Sequence, residues 1–151
     1  MLQLKLSVKG LDTLQSSVNR LERATHDLQP AMQAVGEYVL AGIKAGFSAE
    51  TTPDGQGWLA LKPGTVANRE ALGYPGAHPI LRRTGTLEKS IAIFAAPRSV
   101  TVGSALPYAG FHQTGYRNGS KGVPARPLVG LASQGLEGAT RVLMAHINKA
   151  L

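Results

Sequence analysis

A chain of 151 residues with a formal net charge of +7 has room for one hydrophobic core but hardly two, so a single domain spanning residues 1–151 is expected. It contains no cysteine, which excludes a disulfide framework, a thiolate metal centre and a cysteine nucleophile. No apolar run approaches the roughly 20 residues of a membrane span, and Met1-Leu2-Gln3-Leu4-Lys5-Leu6 alternates where a signal peptide would be continuous, so a soluble chain without membrane contact is expected.

Leu2, Leu4, Leu6 and Val8 alternate with polar neighbours at the period of two that predicts a strand over 2–9. Residues 11–48 then carry two helical stripes. In the first, Asp12 is a candidate cap with Gln15 three residues on, and Leu11, Leu14, Val18, Leu21 and Leu28 follow at helical spacing. Pro30 suits the first turn of a second helix whose stripe is Met32, Val35, Val39, Ile43 and Phe47.

Periodicity fails over 51–79, where Pro53-Asp54-Gly55, Pro63-Gly64, Tyr74-Pro75-Gly76 and His78-Pro79 are turn signals. A short helix over 65–72 is one reading of part of this stretch. The rest reads as a long loop, of the kind that is usually functional or ordered by a partner, and it is expected to reach another subunit. The β-rich runs 90–96 and 99–104, separated by Pro97-Arg98, predict an antiparallel hairpin with Val100 and Val102 on one face. A further extended piece is expected over 108–113, then a basic, glycine-rich turn over 115–122 whose tip should be mobile in an isolated subunit. Ser133 is the expected cap of a C-terminal helix over 133–150 with Leu136, Thr140, Leu143 and Ile147 on one stripe, in spite of about 1 kcal/mol lost at each of Gly135 and Gly138. The fold class is α+β: a small antiparallel sheet packed with two N-terminal helices and one C-terminal helix, joined by long central loops.

The charge excess lies in the second part of the chain. Residues 1–50 hold five basic and five acidic side chains, whereas 51–151 hold eleven and four. Between Arg98 and Arg126 the charged residues are Arg98, Arg117, Lys121 and Arg126, all basic, so this segment suits a polyanion or an acidic protein neighbour, with a solvated loop as the alternative. His26, His78, His112 and His146 stand apart with no His-x3-His pair, so neither a metal nor another cofactor is expected. No Gly-x-Ser-x-Gly elbow occurs, and Gly103-Ser104-Ala105 reads as a turn at a strand end. Gly115 to Lys121 lacks the glycine spacing of a phosphate loop. Catalysis is not expected. Trp58 needs burial and a partner for its N–H, as a core or interface anchor. Arg126, held between Pro124 and Pro127, is expected in an ion pair, either across a subunit boundary or within the chain.

Taken in succession, several segments resemble the phage virion morphogenesis family, which includes tail completion proteins of Mu-like and related temperate phages. They are Phe47; Pro53-x-Gly55-x-Gly57-Trp58-x-x-Leu61; Ile80-Leu81-Arg82-Arg83-Thr84-Gly85-Thr86-Leu87-x-x-Ser90-Ile91; Val102-Gly103-Ser104-x-x-Pro107-Tyr108-Ala109; His112-Gln113-x-Gly115; and Pro124-Ala125-Arg126-Pro127-Leu128-x-Gly130-Leu131. No single motif is specific, but their order is. The resemblance implies a structural virion protein of the neck that completes the tail and joins it to the head as a ring subunit, present in the host cytoplasm before assembly. Its implied partners are further copies of itself, in a hexamer by analogy with sixfold tail tubes, and neighbouring neck, connector or tail-tube proteins. Candidate subunit contacts are Trp58, Arg82, Arg83, Tyr108, His112 and Arg126. Genomic DNA in the channel is a further implied partner, met without sequence specificity by Arg98, Arg117 and Lys121. The alternative is a DNA-binding assembly factor acting through 98–126.

Overall fold

Pro30 stands in the first turn of the helix around which the other elements are arranged, where its missing N–H costs no hydrogen bond. The computed structural model describes residues 11–118, 121–130 and 133–150. The run 2–9 expected as a strand, and the tip at 119–120, lie outside the described residues. Helix α1 (Leu11–His26) leads into α2 (Gln29–Ala49). Asp12, expected as a cap, stands instead within the first turn of α1, at the positive end of the helix.

The predicted hairpin forms from β1 (Ile91–Ala96) and β2 (Ser99–Ser104), paired antiparallel from Ile91 opposite Ser104 to Ala96 opposite Ser99. Its Pro97-Arg98 turn is tied to the α1–α2 corner by the Leu28 N–H, which donates to Pro97 O at 3.2 Å. The hairpin lies against α2, α2 against α6 (Ser133–Ala150), and α1 against α6. Two glycines permit these approaches. A Cβ on Gly36 would stand 2.5 Å from Ile93 Cγ2 and 3.0 Å from Val100 Cγ2, so α2 reaches the sheet only with hydrogen at that position. On α6 the Tyr38 ring fills the space that a Cβ on Gly138 would need, which accounts for a residue that weakens helix propensity. Ser133 opens α6; its side chain, and with it the expected cap, lies outside what is described.

The core consists of Ile43, Phe47, Trp58, Ile80, Leu87, Ile91 and Leu128. The stretch 51–79 is therefore no free loop. Trp58 lies within it, and Ile80 directly follows it. Its middle is helix α3 (Pro63–Ala71), starting two residues before the expected 65–72 helix because Pro63 takes the first turn. Short helix α4 (Thr86–Lys89) brings Leu87 into the core.

Two expectations are corrected. The extended piece at 108–113 is instead a helical turn, α5 (Ala109–Thr114), and the turn-like stretch after it is a small hairpin of β3 (Tyr116–Asn118) and β4 (Lys121–Val123). Over six residues neither period can be told from the other, and the contacts that set α5 come from distant residues.

Candidate interaction surface

The segment 124–130 is extended chain whose backbone groups find partners through side chains. Gln113 on α5 does most of this: its Oε1 accepts from Leu128 N at 2.9 Å and Val129 N at 3.1 Å, and its Nε2 donates to Val129 O at 2.7 Å. Arg126 N donates to His112 O at 2.6 Å. The Arg126 side chain points inward, only 4% exposed, and donates from Nε to Leu59 O at 2.8 Å and from Nη2 to Ala60 O at 3.0 Å. Among the described residues it has no carboxylate within ion-pair distance. Within the chain, the ion pair that was one alternative for Arg126 is replaced by a fork onto two main-chain carbonyls, a geometry that the planar guanidinium suits.

Trp58, 8% exposed, meets the Phe47 ring edge to face at 5.5 Å, and its Nε1 donates to Pro127 O at 3.2 Å. Both needs of the indole, burial and an acceptor, are met inside the chain. Of the two readings of Trp58, core or interface anchor, the chain fulfils the first. Trp58 and Arg126 together staple 58–60 to 126–127.

Glu50 closes the base of the 51–79 stretch. It ends α2 with φ 57° and ψ 43°, a left-handed conformation that costs a non-glycine residue about 1–2 kcal/mol. Its main chain and carboxylate explain its presence. Glu50 O accepts from Trp58 N at 2.7 Å, Oε1 accepts from Ile80 N at 2.9 Å, and Oε2 accepts from His78 Nδ1 at 2.6 Å. Arg69, a buried residue of α3, donates from Nη2 to Pro79 O at 3.0 Å beside this clasp. Glu50→Ala is expected to speed limited proteolysis between residues 51 and 79 while Glu50→Gln, which keeps an acceptor for Ile80 N, speeds it less. Equal rates for both variants and the parent would show that the clasp does not hold the stretch.

His112 sits where α5 meets the 124–130 segment. Its Nδ1 is buried and has no partner among the described residues, and its ring meets Tyr108 edge to face at 6.2 Å. Burial, reinforced by the Arg126 charge, lowers its pKa from the ordinary histidine value. The unfolded chain therefore takes up this proton first as pH falls below about 6.5. Stability contributed here is intact above that pH and is lost as pH falls toward the depressed folded value. The denaturation midpoint of the parent should fall between pH 7.5 and 5.5 by more than that of His112→Gln; parallel pH profiles would refute the assignment.

The other candidate residues are dispersed. Arg82 Nε pairs with Glu88 Oε2 at 2.9 Å, and Arg83 stands over the Tyr74 ring at 5.4 Å, so both have partners within the chain. Arg98 is at the β1–β2 turn. That turn is about 20 Å, six strand residues, from the end of the hairpin that leads on to α5. Arg117 is on β3, and Lys121 opens β4 opposite Asn118. With Arg126 buried, the acid-free segment 98–126 does not present its four cations on one surface.

What the subunit does present is apolar. Leu14 (62% exposed), Val18 and Leu21 recur at four and three residues along α1 and leave a stripe of that helix uncovered. Phe94 stands out from the face of the hairpin that turns away from α2. A helix with an uncovered apolar stripe is normally paired in its working state.

The model of the phage virion morphogenesis family matches residues 10–148. The chain belongs to that family. Among relatives, it is 28% identical to protein G of Escherichia phage Mu, whose name assigns it to capsid assembly, over 144 residues that cover 91% of this chain and 90% of that one. It is likewise 28% identical to the Mu-like prophage FluMu G protein 1 of Haemophilus influenzae over 103 residues, 68% of each chain. No solved structure matches it.

In this member of the phage virion morphogenesis family, the ordered motifs of the sequence converge on the interior. Phe47, Trp58 and Leu128 from three separate motifs share the core with Ile80, Leu87 and Ile91 from a fourth. Sequence reasoning passed over Glu50, Arg69 and Gln113. Of these only Gln113 fell inside a motif, and nothing in the pattern of the chain marks the other two, whose partners are main-chain groups and, for Glu50, also a histidine 28 residues away.

Proposed function

We propose that this chain is a structural subunit of the phage neck that assembles into a ring, completes the tail and joins it to the head, and that it performs no catalysis. Membership of a virion morphogenesis family supports an assembly role, as does the likeness to a Mu protein named for capsid assembly. The observation that carries the ring is the uncovered Leu14–Val18–Leu21 stripe, supported by Phe94 on a second face. A ring subunit needs two different surfaces, each complementary to the other on the next copy, and two separate apolar faces are what such a heterologous contact uses. A sixfold ring would match a sixfold tail tube, with connector or tail-tube proteins above and below it.

The alternative, a DNA-binding factor acting through 98–126, is weakened by the burial of Arg126, which takes one of the four cations of that segment off the surface. Genomic DNA passing through the ring would meet the remaining exposed cations without sequence readout. Quantitative mass spectrometry of purified particles tests the assignment. A small, fixed copy number per particle is expected; complete absence from the particle would make the chain a transient assembly factor.

A further inference from the structure

A groove of about 700 Å3 runs between residues 59–62 and the β3–β4 hairpin with its continuation to Ala125. Its walls are tied together by bonds within the chain. Arg126 ties one wall to the other through Leu59 O and Ala60 O. On the hairpin side Gly115, at φ 78°, lets the chain pass so close to Ala125 that a Cβ would stand 3.0 Å from its nitrogen. Two apolar side chains are offered at the opening: Leu59, 62% exposed, and Tyr116, whose ring is steadied by Phe111 at 5.0 Å between centroids. Among the described residues each wall carries one exposed cation, Lys62 on one and Arg117 on the other, and no acidic residue lines the groove. Lys62 is also the residue before α3, a helix with no side-chain cap and no acidic residue in its first turn, so the positive end of that helix adds to the field beside it.

From this arrangement we propose that the groove docks an acidic, extended segment of a neighbouring protein, carboxylates meeting Lys62 and Arg117 and an apolar side chain covering Leu59 and Tyr116. The size is that of a pocket for a short peptide or small ligand, within the roughly 300–1,000 Å3 range of such sites. The sign of the charge selects acidic over basic segments, and the apolar pair at the mouth gives the contact an anchor that a free anion would not use. The assignment goes beyond the ring reading and stands without it, since a neighbour in any assembly could supply the segment.

The test uses the full chain and a capped peptide of alternating glutamate and leucine, with an alternating lysine and leucine peptide and an oligothymidylate as comparators. Amide shifts should map the acidic peptide to Leu59, Lys62, Tyr116 and Arg117. The Lys62→Glu/Arg117→Glu double variant, changed only at exposed positions, should bind it about tenfold or more weakly while keeping the parent denaturation midpoint. Leu59→Ser should weaken binding by a smaller factor. Shifts elsewhere, undiminished binding by the double variant, absence of binding at low salt, or tighter binding of the oligothymidylate at the same residues would each overturn the proposal.

Discussion

Arg126→Ala is expected to destabilise the fold by about 2–5 kcal/mol, because it removes a buried side chain and takes the donors from two partly buried bonds, those to Leu59 O and Ala60 O. That is a large share of the roughly 5–15 kcal/mol by which a domain is usually stable, and corresponds to a fall in Tm of about 5–15 °C for a chain of this length. A surface arginine in an exposed ion pair would cost under about 1 kcal/mol, so the size of the loss distinguishes the two roles. Arg126→Lys should recover part of it, since an ammonium donates to one carbonyl more readily than to two set in a fork. Trp58→Ala, which empties the adjoining core site and frees Pro127 O, should cost about 3–5 kcal/mol, and Trp58→Phe considerably less. A change of under 1 kcal/mol for Arg126→Ala, measured by denaturant titration, would remove this residue from the interior and return it to the surface.

The second large effect concerns assembly. Leu14→Glu/Val18→Glu should leave the subunit folded, since both side chains are exposed and surface changes usually stay within about 0.5 kcal/mol. It should nevertheless abolish self-association. Burying two such side chains contributes about 3–6 kcal/mol per contact, and a carboxylate placed in an apolar contact adds a desolvation penalty, so affinity should fall by more than about a hundredfold. Sedimentation velocity over a range of concentrations reads this directly. If the variant associates like the parent, the α1 stripe is not the contact, and the outer face around Phe94 becomes the one to alter.

How much of this could be read from the sequence depended on whether the signal was periodic. The β1–β2 hairpin was legible because two β-rich runs flank the two-residue Pro97-Arg98 turn, and α2 was legible because Pro30 and the stripe from Met32 to Phe47 agree. Helix α5 was not, because Ala109–Thr114 is too short to show a period and is fixed by Gln113 and by the bond from Arg126 N to His112 O. The same cause explains why the partners of Arg126 and Trp58 within the chain were not legible. Their residue types announce a need for partners, but their partners are the main-chain oxygens of Leu59, Ala60 and Pro127, which any residue at those positions would supply. The apolar stripe of α1 was visible as a pattern, whereas its exposure was not: a stripe reports that a face is to be covered, and only the fold reveals that this subunit leaves it open.

The central claim is that this chain works as a repeated structural subunit where the head meets the tail. A reconstruction of the intact particle tests it most directly, by locating the chain and counting its copies. The account predicts a closed ring at the head–tail junction, with α1 of each copy packed against its neighbour through Leu14, Val18 and Leu21. A particle whose junction is fully accounted for by other chains, with this one absent or bound elsewhere as single copies, would contradict it.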